Sequence, residues 1–311
     1  MAYQRELLIK IAKLHHYEGK THQEIADTLK ISRVSVTRML QAASAQGIVQ
    51  ITIADDDGDG SNSLEQRMTA KYGLSKVILT RNDSTNTGMR NVALAKAAAK
   101  YVNLAVQDGD VLGLGWGTSI NGMIEQMRAV KKKNSVVVPV IGGVNEKETI
   151  YRVNEFAQIV AEKMSCRHYS LYAPAVMYKK ETRDAIMSDN AISSVCNYWS
   201  QLDVLVVGIG NLRGKMPETV TQYLQQKPID FDKSGVYGEI CYNFFDRNGD
   251  EVVTTMDECL IRISRDEIQK CPLTIAVAWG DAKLQPMMAA LKSGMINVLI
   301  THEETATRIM E

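Results

Sequence analysis

The sequence of 311 residues has few cysteines, few prolines and no long apolar run. Its longest apolar stretch, residues 136–144, is far shorter than the roughly 20 residues that span a bilayer, so we predict no membrane segment. The N-terminus carries charges where an export signal needs an apolar core. The five cysteines are scattered and form no C-x-x-C pair, and the histidines are equally dispersed. We therefore predict a cytoplasmic protein with reduced thiols and no metal site.

Positive and negative charges balance over the whole chain but are unevenly distributed along it. The formal net charge is zero. Residues 1–53 nevertheless hold seven Lys and Arg against four acids, an excess of three positive charges. A basic segment at one end of a neutral chain favours a nucleic-acid partner for that segment. The remaining residues carry the compensating excess of negative charge.

Three helical patterns fill this basic segment. Apolar spacing predicts a helix over residues 5–17. Thr21 and Glu24 form a capping box that begins a short second helix, and Ser32 caps a third. Lys30 occupies the turn between them, where a left-handed residue is expected at a cost of roughly 1–2 kcal/mol. The third helix is predicted to bury Val34, Val36, Met39 and Leu40.

Two short helices joined by a tight turn are typical of a helix-turn-helix, which places its second helix in the major groove of DNA. Arg33 and Arg38 are the side chains that best reach guanine edges or phosphates. The alternative is a helical hairpin that packs on the rest of the protein. The predicted DNA contacts are Thr21, Gln23, Ser32, Arg33, Val34, Ser35, Thr37 and Arg38.

The chain is predicted to have two domains joined by a polar connection. A strand over 47–53 ends the DNA-binding domain, residues 1–53, and the Asp-, Gly- and Ser-rich residues 54–62 form a linker. The acidic residues of this stretch resemble a calcium loop, but Gln66 stands where a bidentate carboxylate is needed, which argues against calcium. Residues 63–311 then form the effector-binding and oligomerisation domain.

Apolar strand patterns alternate with helical patterns throughout the second domain. This alternation predicts an α/β fold with a doubly wound, mostly parallel sheet, whose ligands bind at the carboxyl ends of the strands. Ser264–Glu267 and Thr301–Glu304 match the capping-box pattern of further helices. The predicted strands are 76–80, 111–115, 135–140, 168–172, 204–209, 274–279 and 297–301. The predicted helices include 89–106, 152–164, 283–293 and 303–311.

The stretch "VLGLGWGTSINGM", residues 111–123, is predicted to form an anion-binding loop that leads into a helix. Glycines permit close backbone approach, and Thr118 and Ser119 begin the helix whose amides face a phosphate. A dinucleotide site needs a third glycine where Thr118 stands and an acid after the next strand, and both are missing. No G-K-[ST] is present, so a small phosphorylated metabolite fits best.

The chain resembles the SorC family of sugar-responsive bacterial transcription regulators. The resemblance rests on "THQEIADTLKISRVSVTRML", "GLGWGTS", "VPVIGGVNEKETIYRVNEFA", "YWSQLDVLVVGIG", "GEICYNFFDRNGD" and "KSGMINVLITHEETA", and it covers the whole chain. It implies an effector domain similar to sugar-phosphate isomerases that have lost catalysis, a tetramer built as a dimer of dimers, operator DNA as partner, and a phosphorylated sugar as allosteric effector, with no cofactor.

The resemblance also implies a set of effector contacts. Glu239 takes the position of an acidic residue that binds sugar hydroxyls, and Lys283 that of a phosphate-binding lysine. Some relatives carry a Schiff-base lysine where this chain has Ile141, so covalent capture is not available there. The full predicted set is Gly115, Trp116, Gly117, Thr118, Ser119, Gly142, Gly143, Arg152, Asn154, Glu239 and Lys283.

Two alternatives stay open. An isomerase or deaminase with an appended DNA-binding segment needs a general acid and base near the loop. The candidates for these roles are Glu239, Asp246, Asp281 and His302. A regulator that senses an unphosphorylated ligand, such as an organic acid, would use the same loop and Lys283 for a carboxylate. The main hypothesis is a regulator of a carbohydrate operon without enzymatic activity.

Overall fold

The computed structural model describes residues 5–16, 18–45, 63–81, 87–144, 152–212 and 216–311. The chain divides into two compact units, Met1–Gly60 and Ser61–Glu311. The predicted strand over 47–53 and the predicted linker over 54–62 lie outside the described residues.

Three helices form the described part of the first unit. They are α1 (Arg5–His16), α2 (His22–Leu29) and α3 (Arg33–Ala45). Leu8, Ile11, Ile25 and Val36 are fully buried between them. This arrangement of α2, a tight turn and α3 is that of a helix-turn-helix.

Local sequence signals set the ends of these helices. Thr21 Oγ1 accepts the Glu24 amide at 3.3 Å, and the Glu24 carboxylate accepts the Thr21 amide at 2.8 Å, so the capping box is confirmed. The Ser35 amide donates to Ser32 Oγ at 3.1 Å. Lys30 has a φ of 53° and ends α2 in the left-handed conformation that the turn requires.

The prediction that Val34 is buried is wrong. Its side chain is 60% exposed, whereas Val36, Met39 and Leu40 are buried. Positions 34 and 36 lie about 200° apart around a helix, so one narrow apolar face cannot hold both. Val34 lies instead on the exposed side of α3.

The second unit contains eleven described helices and nine strands. Its strands are β1 (Lys76–Thr80), β2 (Val111–Leu114), β3 (Val136–Pro139), β4 (Arg167–His168), β5 (Val204–Val207), β6 (Gly238–Ile240), β7 (Asn243–Phe245), β8 (Leu273–Val277) and β9 (Val298–His302). Its helices are α4 (Leu64–Tyr72), α5 (Thr87–Ala105), α6 (Thr118–Gln126), α7 (Val153–Met164), α8 (Lys180–Ser188), α9 (Asn190–Cys196), α10 (Glu218–Gln226), α11 (Phe231–Ser234), α12 (Arg265–Lys270), α13 (Leu284–Lys292) and α14 (Glu303–Met310).

Seven strands form one parallel sheet in the order β1-β9-β8-β5-β2-β3-β4. Side chains alternate between its two faces: Leu114 and Val206 pack on one face, and Leu205 and Val207 on the other. Both faces are covered, which explains why the strands are apolar throughout. The fold is therefore the predicted doubly wound α/β fold.

The strand order places a topological switch point between β2 and β5. From β2 the chain continues outward to β3, and from β5 it continues in the opposite direction to β8 and β9. A sheet of this kind opens a crevice at the carboxyl ends of the two strands that flank the reversal, and ligands bind there. The antiparallel β6–β7 hairpin lies outside the main sheet.

Two local predictions in this unit are wrong. The strand predicted over 168–172 is reduced to β4, because this edge segment pairs with β3 only through Arg167 and His168. Thr301 does not cap a helix. It belongs to β9, and α14 begins after His302 without a side-chain cap. The Ser264–Glu267 capping box, by contrast, is confirmed at the start of α12.

Candidate functional site

A cavity of about 420 Å³ lies at the carboxyl ends of β2 and β5. We call it the switch-point cavity. Four segments that follow strands contribute to it: the loop after β2, the loop after β5, the β6–β7 hairpin and the loop after β8. Its described lining is Trp116, Gly117, Thr118, Ser119, Gly208, Ile209, Gly210, Asn211, Leu212, Met216, Pro217, Glu239, Cys241, Tyr242, Ala282 and Lys283.

The glycine loop after β2 presents the start of α6 to this cavity. Gly117 has a φ of 127° and a ψ of 168°, a conformation that favours glycine, and it is the N-cap of α6. Glycine has no side chain, so no side-chain hydrogen bond caps the start of α6. The first amides of α6, at Thr118 and Ser119, therefore face the cavity with the positive end of the helix dipole, which is the arrangement that binds an anion.

Lys283 supplies a cation to the same cavity. It follows β8 and Gly280, whose φ of 94° turns the chain towards the site. Burial lowers the pKa of Lys283, because removal from water disfavours the ammonium form, while Glu239 opposes this effect. An ammonium that lines the same cavity as the start of α6 is suited to hold a phosphate or carboxylate.

Glu239 is an acidic group in the same cavity lining. It belongs to β6, and its carboxylate Oε2 accepts the Tyr242 amide at 2.5 Å. Burial raises the pKa of this carboxyl group, whereas the Tyr242 hydrogen bond, Lys283 and Arg262 lower it. A carboxylate in such a place can accept hydrogen bonds from ligand hydroxyl groups.

Gly210 makes room for this carboxylate. The Gly210 amide donates to the Glu239 carbonyl at 2.9 Å, which brings the loop after β5 against β6. A Cβ on residue 210 would lie 1.5 Å from Glu239 Oε1. Any side chain at this position therefore displaces Glu239.

We expect Gly210→Ala to lower the affinity for a hydroxyl-bearing ligand roughly 10-fold or more, because a buried hydrogen bond to a charged group contributes about 1.5–3 kcal/mol. Isothermal titration calorimetry measures this change. Gly122→Ala is the matched control, since a Cβ there meets Ala95 at an ordinary 3.7 Å. Equal ligand affinity in both variants would contradict the role of Glu239.

Aromatic and apolar side chains close the rest of the wall. The rings of Trp116 and Tyr242 meet edge to face with centroids 5.7 Å apart. Asn211 Nδ2 donates to the Ala282 carbonyl at 2.6 Å and ties the loop after β5 to the loop that carries Lys283. Asn211, Cys241 and Tyr242 line the cavity but are not among the predicted effector contacts, because no motif indicated them.

Among the predicted effector contacts, Trp116, Gly117, Thr118, Ser119, Glu239 and Lys283 line the switch-point cavity. Gly115 is not among the lining residues, but it packs next to one of them, because a Cβ there would approach Cys241 Sγ to 3.2 Å. The sequence therefore identified the two charged groups and the loop that the fold brings together.

The other four predicted contacts are not among the described residues that line this cavity. Gly142 is buried, and a Cβ there would lie 2.5 Å from the Pro174 carbonyl, so its glycine serves close packing. Gly143 and Asn154 line a separate, mostly apolar cavity of about 850 Å³. Asn154 exchanges hydrogen bonds with the Leu171 backbone at 2.8 and 3.1 Å. Arg152 pairs with Glu155 at 3.2 Å.

The proposed acid–base candidates are dispersed. Asp281 pairs with Arg308, and Asp246 accepts two backbone amides of its own turn. His302 Nδ1 lies 2.8 Å from Thr80 Oγ1. Of the four candidates, all of them within the described residues, Glu239 alone lines the switch-point cavity.

Neither a metal cluster nor a membrane span is found in the part of the chain that the structure describes. Histidine, cysteine and acidic side chains do not gather there in threes in a metal-binding arrangement. None of the described helices combines the length and apolarity needed to cross a bilayer.

The candidate DNA interface is the exposed side of α3 and the start of α2. Arg33, Val34 and Arg38 are exposed. Ser35 and Thr37 are partly engaged within the protein, since Ser35 Oγ lies 2.9 Å from Ser32 Oγ and Thr37 Oγ1 donates to the Arg33 carbonyl at 3.2 Å. Two exposed arginines on a recognition helix can bind guanine edges or phosphates.

The start of α2 carries the remaining predicted contacts. Thr21 and Gln23 are exposed. Gln23 Nε2 donates to Asp27 at 2.9 Å, and His22 Nδ1 lies 3.1 Å from Thr37 Oγ1. The His22 contact links the start of α2 to the middle of α3.

Residues 56–311 match the family model described as "Putative sugar-binding domain". The sorbitol operon regulator of Klebsiella pneumoniae is 29% identical over 308 residues, which cover 98% of each chain. The deoxyribonucleoside regulator of Bacillus subtilis is 26% identical over 98% of this chain and 97% of its own.

Solved structures show the same similarity. The full-length sorbitol operon regulator SorC from Klebsiella pneumoniae superposes with a TM-score of 0.86 at 28% identity and covers 100% of both chains. A DeoR family transcriptional regulator from Listeria monocytogenes superposes with a TM-score of 0.73 at 25% identity, over 81% of this chain and 100% of its own.

Proposed function

The chain belongs to the SorC family of sugar-binding transcriptional regulators, and on that premise we propose that its effector is a phosphorylated sugar or polyol held in the switch-point cavity. One observation carries the proposal: the cavity joins an anion site, made by the start of α6 and Lys283, to a hydroxyl acceptor, Glu239. A phosphate monoester of a polyhydroxy compound matches both ends.

The names of its relatives support this ligand class. They include regulators of sorbitol, deoxyribonucleoside and erythritol metabolism. We propose that this chain regulates a carbohydrate operon in the cytoplasm, binds operator DNA through α3, and does so as a homo-oligomer built as a dimer of dimers. Two recognition helices in a symmetric dimer require half-sites one or more helical turns apart.

Ligand-induced thermal stabilisation tests the ligand class. A panel of sorbitol 6-phosphate, erythritol 4-phosphate and 2-deoxyribose 5-phosphate is compared with the three unphosphorylated compounds. A ligand at 100 times its Kd stabilises by about 2.7 kcal/mol, which raises the Tm by roughly 5–10 °C for a domain of this size. We expect a shift with at least one phosphate and none with its unphosphorylated partner.

Two added measurements, thermal shift with organic acids and an assay for turnover of sugar phosphates, test the alternatives. Stabilisation by an organic acid in place of the phosphates would indicate a carboxylate sensor. Sustained turnover of a pentose or hexose phosphate would indicate an enzyme. We propose that the protein is not an enzyme, because the acid–base candidates of the described chain do not converge on the switch-point cavity.

The affinity for a phosphate monoester should depend on pH through Lys283. Burial lowers its pKa below the ordinary 10.5, so the ammonium that binds phosphate is lost at a lower pH than usual. A bound phosphate raises the pKa of Lys283 again. At a pH above the pKa of Lys283 in the free protein, binding therefore requires Lys283 to take up a proton. We expect the affinity to fall as the pH rises through the lowered pKa of Lys283, and therefore at a lower pH than an ordinary lysine would give, and calorimetry measures it.

Lys283→Arg provides the control, because a guanidinium keeps its charge across this range. Its phosphate affinity should stay level where that of the unchanged protein declines. A parallel decline in both proteins would show that Lys283 does not govern the pH dependence.

A further inference from the structure

The turn of the β6–β7 hairpin is made by Cys241 and Tyr242, which both have left-handed backbones with φ of 50° and 57°. Ile240 pairs with Asn243, so these two residues form the whole loop. Two-residue loops of this type normally use Asn, Asp or Gly, because a Cβ crowds the backbone when φ is positive. For each such residue the penalty corresponds to roughly 5- to 30-fold in an equilibrium constant.

The base of the turn is firmly anchored. Asn243 is buried and donates to the Ile240 and Ile263 carbonyls at 3.0 and 3.1 Å. Arg262 donates to Asn243 Oδ1 and pairs with Asp257 at 2.6 Å. Asn243 also donates to the Cys241 carbonyl at 3.5 Å, so the base of the turn holds one loop carbonyl, whereas the Tyr242 amide is held on the cavity side.

On the cavity side, Glu239 holds the turn. Its Oε2 accepts the Tyr242 amide at 2.5 Å, and its Oε1 lies against Gly210. Both carboxylate oxygens are therefore in contact with the protein. A ligand hydroxyl that donates to Glu239 Oε2 shares this oxygen with the Tyr242 amide and weakens that hydrogen bond.

The turn also touches the phosphate loop. The Tyr242 ring meets the Trp116 ring, and Cys241 Sγ lies where a side chain on Gly115 would be. When a phosphate binds at the start of α6, the Lys283 ammonium pairs with the phosphate. The attraction between Lys283 and the Glu239 carboxylate is then weaker. Both ends of a bound ligand thus act on the same turn.

We propose that effector binding releases the turn: Glu239 exchanges the Tyr242 amide for a ligand hydroxyl, and Cys241 and Tyr242 leave the left-handed region. The penalty stored in the free protein is relieved on binding and contributes to ligand affinity. The hairpin then reports the occupancy of the cavity to the rest of the domain. This inference rests on the proposed function, since it requires a ligand with hydroxyl groups.

Cys241→Ala and Cys241→Gly form a matched pair that tests the proposal. Both remove the thiol, but alanine keeps the left-handed penalty and glycine abolishes it. Only folded states are compared in a binding measurement, so effects on the unfolded chain cancel. The variant with alanine should bind the tightest sugar phosphate of the panel roughly 5- to 30-fold more tightly than the variant with glycine. Inorganic phosphate, which has no polyol chain for Glu239, should discriminate between the two variants much less than the sugar phosphate does.

Ser165→Ala and Ser165→Gly are the control pair, because Ser165 has a φ of 51° at the end of α7 and lies outside the cavity lining. Their affinities should not differ. Equal affinity of the two Cys241 variants for the sugar phosphate would overturn the proposal, since the turn would then stay left-handed on binding. If either variant does not fold, Tyr242→Ala and Tyr242→Gly give the same comparison. Failure of every sugar phosphate to bind the unchanged protein would instead refute the proposed function, and the inference with it.

Discussion

Replacement of Lys283 by Met is expected to weaken sugar-phosphate binding strongly while operator binding persists. The substitution keeps the apolar stem but removes the ammonium, and the hydrogen bonds that it donates to phosphate contribute about 1.5–3 kcal/mol. The affinity should therefore fall roughly 10- to 150-fold, as measured by calorimetry with the tightest ligand of the panel. The affinity for DNA should not change, because Lys283 belongs to the second unit.

Lys292→Met is the matched control for this experiment. Lys292 ends α13, the helix that Lys283 precedes, but it is exposed and outside the cavity lining. Its replacement should leave both the ligand affinity and the operator affinity unchanged. Tight sugar-phosphate binding by the Lys283 variant would remove this residue from the site.

Replacement of Arg38 by Ala is expected to weaken operator binding about 5- to 150-fold, because a good bidentate contact with a base contributes about 1–3 kcal/mol. Fluorescence anisotropy with an operator selected in vitro measures the loss. If Arg38 contacts phosphate, the loss is uniform across DNA sequences and the salt slope falls by about one. If it contacts a base, discrimination at one position is lost.

Arg67→Ala provides the comparison, since Arg67 is an exposed arginine of α4 in the second unit. Operator affinity should be preserved in this variant. The thermal shift caused by sugar phosphate should be the same in both variants and in the unchanged protein. An Arg38 variant with full operator affinity would show that α3 does not read DNA through this side chain.

Local signals made the helix ends predictable. The capping boxes at Thr21 and Ser264 involve residues three apart, and the backbone alone brings them together. The same pattern at Thr301 does not cap a helix, because the strand β9 includes Thr301 and continues to His302. Pairing with a neighbouring strand determines whether such a residue caps a helix or extends a strand, and the local sequence pattern alone does not show this pairing.

The candidate site was predictable where glycine, a strand end and a charge coincide. The loop at Gly117 and the lysine after β8 follow from an alternating α/β pattern, because parallel strands end at one edge of the sheet. The place of Glu239 depends on a hairpin turn made by Cys241 and Tyr242, which lacks the usual Asn-Gly signal. Gly142 was predicted to contact the effector, yet its small size serves packing against Pro174.

We propose that a ligand in the switch-point cavity controls DNA binding. Operator affinity of the full chain, measured by anisotropy with and without a saturating sugar phosphate, tests it most directly. We expect a change of about 5- to 150-fold in the unchanged protein, the usual range of allosteric coupling, and a much smaller change in the Lys283→Met variant at the same ligand concentration. An operator affinity that stays the same in the unchanged protein when the cavity is saturated would contradict it.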